Sequence, residues 1–151
     1  MGSGSSRPRA VRYAYERDGV DSEGERIPDI PVVTIMLEVE GRRGRGPAVV
    51  DTGFDGGVYP NLEVVRLFRG LKPTRVKYLE SPLYGRVACE VYVARLSLLE
   101  PGGGWVGLGE CRVYIPVEPE LLSEEVLLGR EVLNRLVLAL DGRVVEVRVP
   151  E

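Results

Sequence analysis

The feature that most limits the fold of this chain is the two-residue period of its apolar positions. Alternating and β-branched runs, each bounded by Gly, Pro or Asp, recur from end to end, while helical period is scarce. Residues two apart share one face of a strand, so the fold is mainly β. Arg12 to Glu16 reads as a first edge strand, and the polar stretch from Arg17 to Pro28 has too few apolar residues to be core. Pro31 to Glu40 reads as a long strand with Val33, Ile35, Leu37 and Val39 on one face. Gly41 to Gly46 reads as a turn that puts Arg42, Arg43 and Arg45 at an exposed hairpin tip, and Ala48 to Val50 as a short apolar strand. Leu62 to Arg69 is a helix candidate, with Val64, Leu67 and Phe68 along one stripe and Gly70 placed to stop it.

Val76 to Leu99 reads as two strands around a turn at Ser81 to Gly85, the second with Val87, Cys89, Val91 and Val93 on one face. A loop at Pro101 to Gly104 follows, with Trp105 as its partly buried anchor, and then a strand from Val106 to Val117. A short helix over Arg130 to Arg135 precedes a closing hairpin at Asp141-Gly142, a dipeptide that favours a type I′ turn. Residues 1–10 read as a flexible tail and 11–151 as a single domain.

A length of 151 residues suits one domain with a real core. No apolar run approaches the ~20 residues that cross a bilayer, and the small polar opening from Met1 to Ser6 lacks the plan of a signal peptide. The expectation is a cytoplasmic protein without a membrane partner. A net charge of -3 with both signs interspersed argues against nucleic acid as well. The chain has no His, which excludes metal catalysis by imidazole, and Cys89 and Cys111 lack the paired spacing of a zinc site. No metal or other cofactor is expected. The two cysteines read as small buried apolar side chains rather than a disulfide. Lys occurs only at 72 and 77, Gln is absent, and Asn61 and Asn134 are the only Asn residues, which leans towards a thermophilic source.

The candidate site begins where Ala48, Val49 and Val50 run into Asp51-Thr52-Gly53, followed by a glycine-rich loop through Gly57. Asp and Gly are also ordinary turn residues after a strand. A carboxylate at the exit of a buried strand is partly desolvated, however, and Gly53 lets another backbone come close, so that two such turns can pack face to face. Two carboxylates in contact cannot both ionise. The proton they share gives one general base and one general acid for activating a water, the two roles peptide hydrolysis needs. The sequence contains a single such tripeptide, so the second carboxylate has to come from another copy, most simply across a twofold axis.

In these residues the chain resembles the retropepsin-like (clan AA) aspartic peptidases. Ala48 to Asp55 is similar to the family's apolar strand and catalytic loop, and Leu127-Leu128-Gly129-Arg130-Glu131-Val132-Leu133 to its later apolar-apolar-Gly segment that opens a short helix. The Asp-Thr-Gly-Phe run resembles a prokaryotic and archaeal subgroup. The resemblance implies a closed acid-protease β-barrel with one or two short helices, a homodimer, and Asp51 as the catalytic carboxylate acting on an extended peptide or unfolded protein. It makes Thr52 and Gly53 the scaffold of the loop, with Thr52 in a hydrogen-bond lattice across the dimer. Leu128, Gly129 and Arg130 become its structural support, and the hairpin near Gly85 a flap. Phe54, Asp55, Gly85 and Arg86 would meet substrate. Asp55 and Arg130 fall where retroviral members carry an ion pair and are expected to touch.

Phe54 departs from the small Ala, Ser or Thr usual after the tripeptide. It offers the carboxylate no hydroxyl, and its bulk is expected to narrow a substrate pocket. The extra N-terminal segment and the inserts near Gly102 and Pro119 also depart from the minimal viral subunit and bear on whether the dimer uses interleaved terminal strands. Two functions follow: a homodimeric aspartic endopeptidase, and a catalytically weak or inactive peptide-binding or assembly module that keeps the fold.

Overall fold

The alternation around Ile35 becomes β2 (Val32–Val39), whose Val33, Ile35 and Leu37 face inwards, and it turns into β3 (Arg42–Val50) through Glu40 and Gly41. The computed structural model describes residues 9–81 and 84–150. Both turn residues have positive φ, 48° and 75°, as a two-residue hairpin of the I′ kind requires. The three arginines expected at a hairpin tip are therefore ladder residues, Arg42, Arg43 and Arg45 pairing with Val39, Glu38 and Met36. They form the solvent-facing half of a nine-residue strand.

The remaining elements are β1 (Arg9–Ala14), β4 (Val58–Tyr59), α1 (Leu62–Leu67), β5 (Arg75–Ser81), β6 (Gly85–Leu99), β7 (Trp105–Pro116), β8 (Val126–Leu128), α2 (Arg130–Leu133), β9 (Val137–Leu140) and β10 (Val144–Val149), with a 3-10 turn at Pro119–Leu121. β3 is followed in space by β8, β4, β7 and β6, and β6 pairs back onto β2, closing a six-stranded β-barrel; β5 lies outside the ring on β6. β8 runs parallel to β3 and antiparallel to β4, so it lies between them. The chain from β3 to β4 must therefore cross the end of β8, and that crossing is the 51–57 loop.

Closure by β2 and β6 buries Leu96, Leu98, Val113, Val58 and Ala48 in one core cluster. Each fully buried Leu or Val contributes about 1.5–3 kcal/mol, which makes this cluster the frame that holds the loop's two ends. A second cluster, Leu79, Val87, Cys89, Val91 and Tyr114, lies on the opposite face of the β6–β7 ribbon. The stripe expected over Val87 to Val93 breaks there. Val87, Cys89 and Val91 are buried, but Val93 is exposed, and from Tyr92 onwards Ala94, Leu96 and Leu98 carry the buried face. The strand leaves the second cluster and enters the barrel, so the face that meets apolar partners changes.

Several boundaries differ from the sequence expectation. β1 covers Arg9–Ala14 rather than Arg12 to Glu16, reaches into the stretch read as tail, and pairs with β10 in a three-stranded sheet ordered β1-β10-β9. Asn61 caps α1 by accepting the Val64 N–H at 3.1 Å, and Gly70, at φ 80°, lies past its end as expected. The Asp141-Gly142 turn is not type I′, because Gly142 alone has positive φ. Instead the Asp141 carboxylate accepts the N–H groups of Arg143 and Val144 at 2.8 and 2.7 Å, an Asx arrangement that makes left-handed backbone at residue 141 unnecessary. Trp105 is 60% exposed, so it is not the partly buried anchor expected for the loop; its backbone pairs with Leu99 at the start of β7. The expected turn over Ser81 to Gly85 includes Pro82 and Leu83, which lie outside the described residues.

Candidate active site

Asp51 leaves β3 with its N–H donating to the Leu128 carbonyl at 3.0 Å, so the last residue of β8 fixes where the loop begins. Its carboxylate Oδ1 accepts the Gly53 N–H at 2.9 Å, and the Phe54 N–H returns to the Asp51 carbonyl at 3.2 Å. Thr52 and Gly53 are exposed at the tip. The rest of the loop is held by the start of α2. The N–H groups of Gly129, Arg130 and Glu131 donate to the carbonyls of Gly57, Phe54 and Gly56 at 2.7, 2.8 and 3.1 Å. Amides in the first turn of a helix have no partner within it, which frees them for this use.

Gly129, like Gly56 and Gly57 across from it, occupies a position where only hydrogen fits. A Cβ there would collide with the carbonyl oxygens of Gly56 and Phe54 and with the Phe54 ring. Leu128, its neighbour, is buried in the barrel core. Arg130 behaves differently from expectation: its guanidinium donates to the Thr52 carbonyl at 2.6 Å, and among the described residues no ion pair joins it to Asp55. Asp55 is exposed, whereas the Thr52 carbonyl lies within the long side chain's reach and tethers it across the loop.

The Phe54 ring turns inwards. It meets Tyr59 and Tyr114 edge-on, with centroids 5.8 and 6.3 Å apart and planes at 83° and 84°, the arrangement that aromatic quadrupoles favour. It forms part of the wall of a cleft of about 420 Å³ with Asp51 and Gly53 on its lining. Leu79, Glu80, Tyr84 and Val87 of the β5–β6 hairpin line one side, and Leu121, Leu122 and Ser123 line another, with Tyr59 and Leu127 between them. The Tyr59 hydroxyl donates to the Leu121 carbonyl at 2.6 Å, which ties the 119–123 segment to β4. Burial pushes the Tyr59 hydroxyl up to about 12. The wall is mainly aliphatic and aromatic, with Asp51 and Glu80 as its carboxylates.

The cleft therefore brings together Asp51, Gly53 and Phe54 of the sequence candidates. Gly85 and Arg86 belong to the same hairpin but not to the cleft wall: both are exposed, and the Arg86 guanidinium lies 4.3 Å from the centre of the Tyr78 ring. The hairpin residues that do face the cleft were within reach of sequence reasoning, since Leu79 and Val87 are direct cross-strand partners in its apolar register. The 121–123 wall carries no periodic signal.

A larger concavity of about 550 Å³ at Thr34, Arg45 and Glu100 holds none of the residues of the 51–57 loop. Among the described residues, one group of carboxylates stands close enough to share an ion: Asp21, Glu23 and Glu25, all exposed. Asp21 Oδ1 already accepts the N–H groups of Glu23 and Glu25 at 2.9 Å each, which accounts for their closeness. Among the described residues no helix is long and apolar enough to cross a membrane. Cys89 and Cys111 are both free and buried.

No protein-family model matches the sequence, nor does any curated protein. Among solved structures, the chain is similar to the crystal structure of a retropepsin-like aspartic protease from Rickettsia conorii. The TM-score is 0.54 over 99% of this chain and 97% of that one, at 16% identity. The similarity establishes a retropepsin-like fold, as the resemblance around Asp51 and Gly129 implied.

Proposed function

We propose that this protein is an aspartic endopeptidase that works as a homodimer, with the Asp51 carboxylates of two copies activating one water between them. The observation that carries the proposal is the Asp51 carboxylate on the wall of an apolar cleft bordered by a β-hairpin. Such a cleft suits an extended peptide, whose side chains leave water for the wall while its backbone passes the carboxylate. Thr52 and Gly53 stay exposed in the single chain, which leaves the face of the loop open to its symmetry mate.

In the dimer one carboxylate takes a proton from the water as its oxygen attacks the peptide carbon. The other gives its proton to the carbonyl oxygen, and collapse of the tetrahedral species sends a proton to the leaving nitrogen. A second reading, a peptide-binding or assembly module with little turnover, is favoured by Phe54, which places no hydroxyl beside Asp51 and is spent on packing.

The test is cleavage of an unstructured protein from acid to neutral pH, with and without an inhibitor carrying a hydroxyl in place of the scissile carbonyl. Inhibitor-sensitive cleavage that Asp51→Asn abolishes, with dimer mass unchanged, is the expected outcome. Cleavage that survives Asp51→Asn refutes the peptidase proposal. A confirmed dimer that cleaves at no pH supports the second reading.

A further inference from the structure

The phenol of Tyr114 and the carboxylate of Glu131 meet behind the 51–57 loop, on the side away from the exposed tip. The Tyr114 hydroxyl donates to Glu131 Oε2, and Arg112 Nη1 stands 3.9 Å from the same oxygen. Tyr114 is 0% exposed, so its hydroxyl is shielded from water and depends on a protein partner. The Glu131 side chain is 25% exposed and at the start of a helix, where water could serve it instead. Burial, with the hydrogen bond to Glu131, pushes the Tyr114 hydroxyl up to about 12, so the phenol stays a donor at every pH of interest.

The pair also connects to the loop at both ends. The Glu131 N–H holds the Gly56 carbonyl at 3.1 Å, while its side chain reaches to Tyr114 on β7. The Tyr114 ring is the surface on which the loop lies: Phe54 packs edge-on against it, and a Cβ at Gly56 would stand 2.9 Å from its Cε2. Phe54 follows Gly53, whose N–H orients Asp51 Oδ1. A shift of the Tyr114–Glu131 pair therefore passes to Asp51 through Gly56 on one side and through Phe54 and Gly53 on the other.

We propose that Tyr114 and Glu131 are positioning residues, a strut between the barrel wall and α2 that fixes the Asp51 loop. Its catalytic consequence rests on the peptidase proposal; its effect on the loop does not. A buried phenol bound to a carboxylate is among the stronger hydrogen bonds a protein makes; deleting the carboxylate leaves the phenol without its acceptor, and deleting the phenol's hydroxyl removes the link between β7 and α2 even where water serves Glu131.

The experiment compares the full-length protein with Tyr114→Phe, Glu131→Ala and Glu131→Gln, reading amide hydrogen exchange and the kinetics of peptide cleavage. Tyr114→Phe keeps the ring and hence the fold. It is expected to speed exchange at the Gly53 and Phe54 amides about tenfold, the scale of one lost hydrogen bond to a charged group, while the β2–β3 ladder exchanges as before. In the same variant kcat falls about tenfold with KM within about twofold, because the cleft wall is intact. Glu131→Ala matches it, and Glu131→Gln, whose amide oxygen still accepts from Tyr114, stays near the original protein. A lower melting temperature with loop exchange at its original rate overturns the strut, as does equal acceleration in the ladder. Faster loop exchange with unchanged kcat overturns its catalytic part. If the original protein cleaves nothing, the peptidase proposal falls, and the exchange result alone decides the strut.

Discussion

Replacing Gly129 by Ala puts a methyl group where the 51–57 loop and α2 touch. The added Cβ meets two backbone carbonyl oxygens and the Phe54 ring, none of which is the free end of a flexible side chain. Relief requires the loop and helix to separate, which stretches the hydrogen bonds from Gly129, Arg130 and Glu131 to Gly57, Phe54 and Gly56. Three such bonds at about 0.5–1.5 kcal/mol each, together with overpacking that alone costs about 1–3 kcal/mol, put the loss at about 2.5–7.5 kcal/mol. For a chain of this length that is a fall in melting temperature on the order of 10 °C.

Gly70→Ala and Gly46→Ala calibrate the result. Gly70 has φ 80° in open space, so its variant costs only the strain of left-handed backbone, about 1–2 kcal/mol. Gly46 has neither positive φ nor a neighbour within 4 Å, so its variant is unchanged or about 0.5–1 kcal/mol more stable. The assay is denaturant unfolding at one fixed protein concentration, since association shifts apparent stability. Gly129→Ala as stable as Gly46→Ala refutes the reasoning, because it would mean that the loop and α2 are not in contact.

Three further outcomes are expected. Peptide cleavage follows a bell-shaped pH profile that favours acid, because the dyad shares one proton; a rate that climbs steadily into alkali contradicts it. Glu146 is held below its usual 4.5 by hydrogen bonds from Arg12 and Arg148, so its contribution to the β1–β10 sheet is fully present above that pH and is lost as the pH falls through the lowered value. Glu146→Gln should therefore flatten the acid side of the stability curve, read by melting temperature against pH, and an unchanged curve would contradict the pairing. Burial pushes the Cys89 and Cys111 thiols up to about 11 and about 12, so both react with a thiol reagent at neutral pH only as the protein unfolds; rapid labelling of the folded protein would contradict their burial.

How much could be read from the sequence depended on whether a structural choice left an apolar trace. β2 and the first half of β6 were legible because one face is buried and the other is not, which is the signal alternation carries. The switch of face at Val91 and Tyr92 follows from the strand passing between two clusters, a matter of three-dimensional placement. Arg42 to Arg45 looked like a turn because charges and glycines are all that an exposed half-strand shows. Barrel closure by β2 and β6 joins strands about 60 residues apart in sequence, and local pattern does not encode it.

At the site, Asp51-Thr52-Gly53 and Leu128-Gly129 were recognisable, and the structure places them side by side through the Asp51–Leu128 hydrogen bond. The partner of Arg130 was not legible: a guanidinium serves a carboxylate or a backbone carbonyl equally well, and packing gives it the Thr52 carbonyl. Phe54 was recognised as a departure, but its direction, towards Tyr59 and Tyr114, depends on residues that only the barrel brings near.

The measurement that tests the central claim most directly is activity in mixtures of the original protein with Asp51→Asn after subunit exchange. If each site needs two Asp51 carboxylates, mixed dimers are silent, and an equal mixture retains about a half of the activity of the same amount of original protein alone. A larger excess of the variant drives the activity towards zero. Activity that stays constant as Asp51→Asn is added, in dimers shown to have exchanged, contradicts a site shared between two copies.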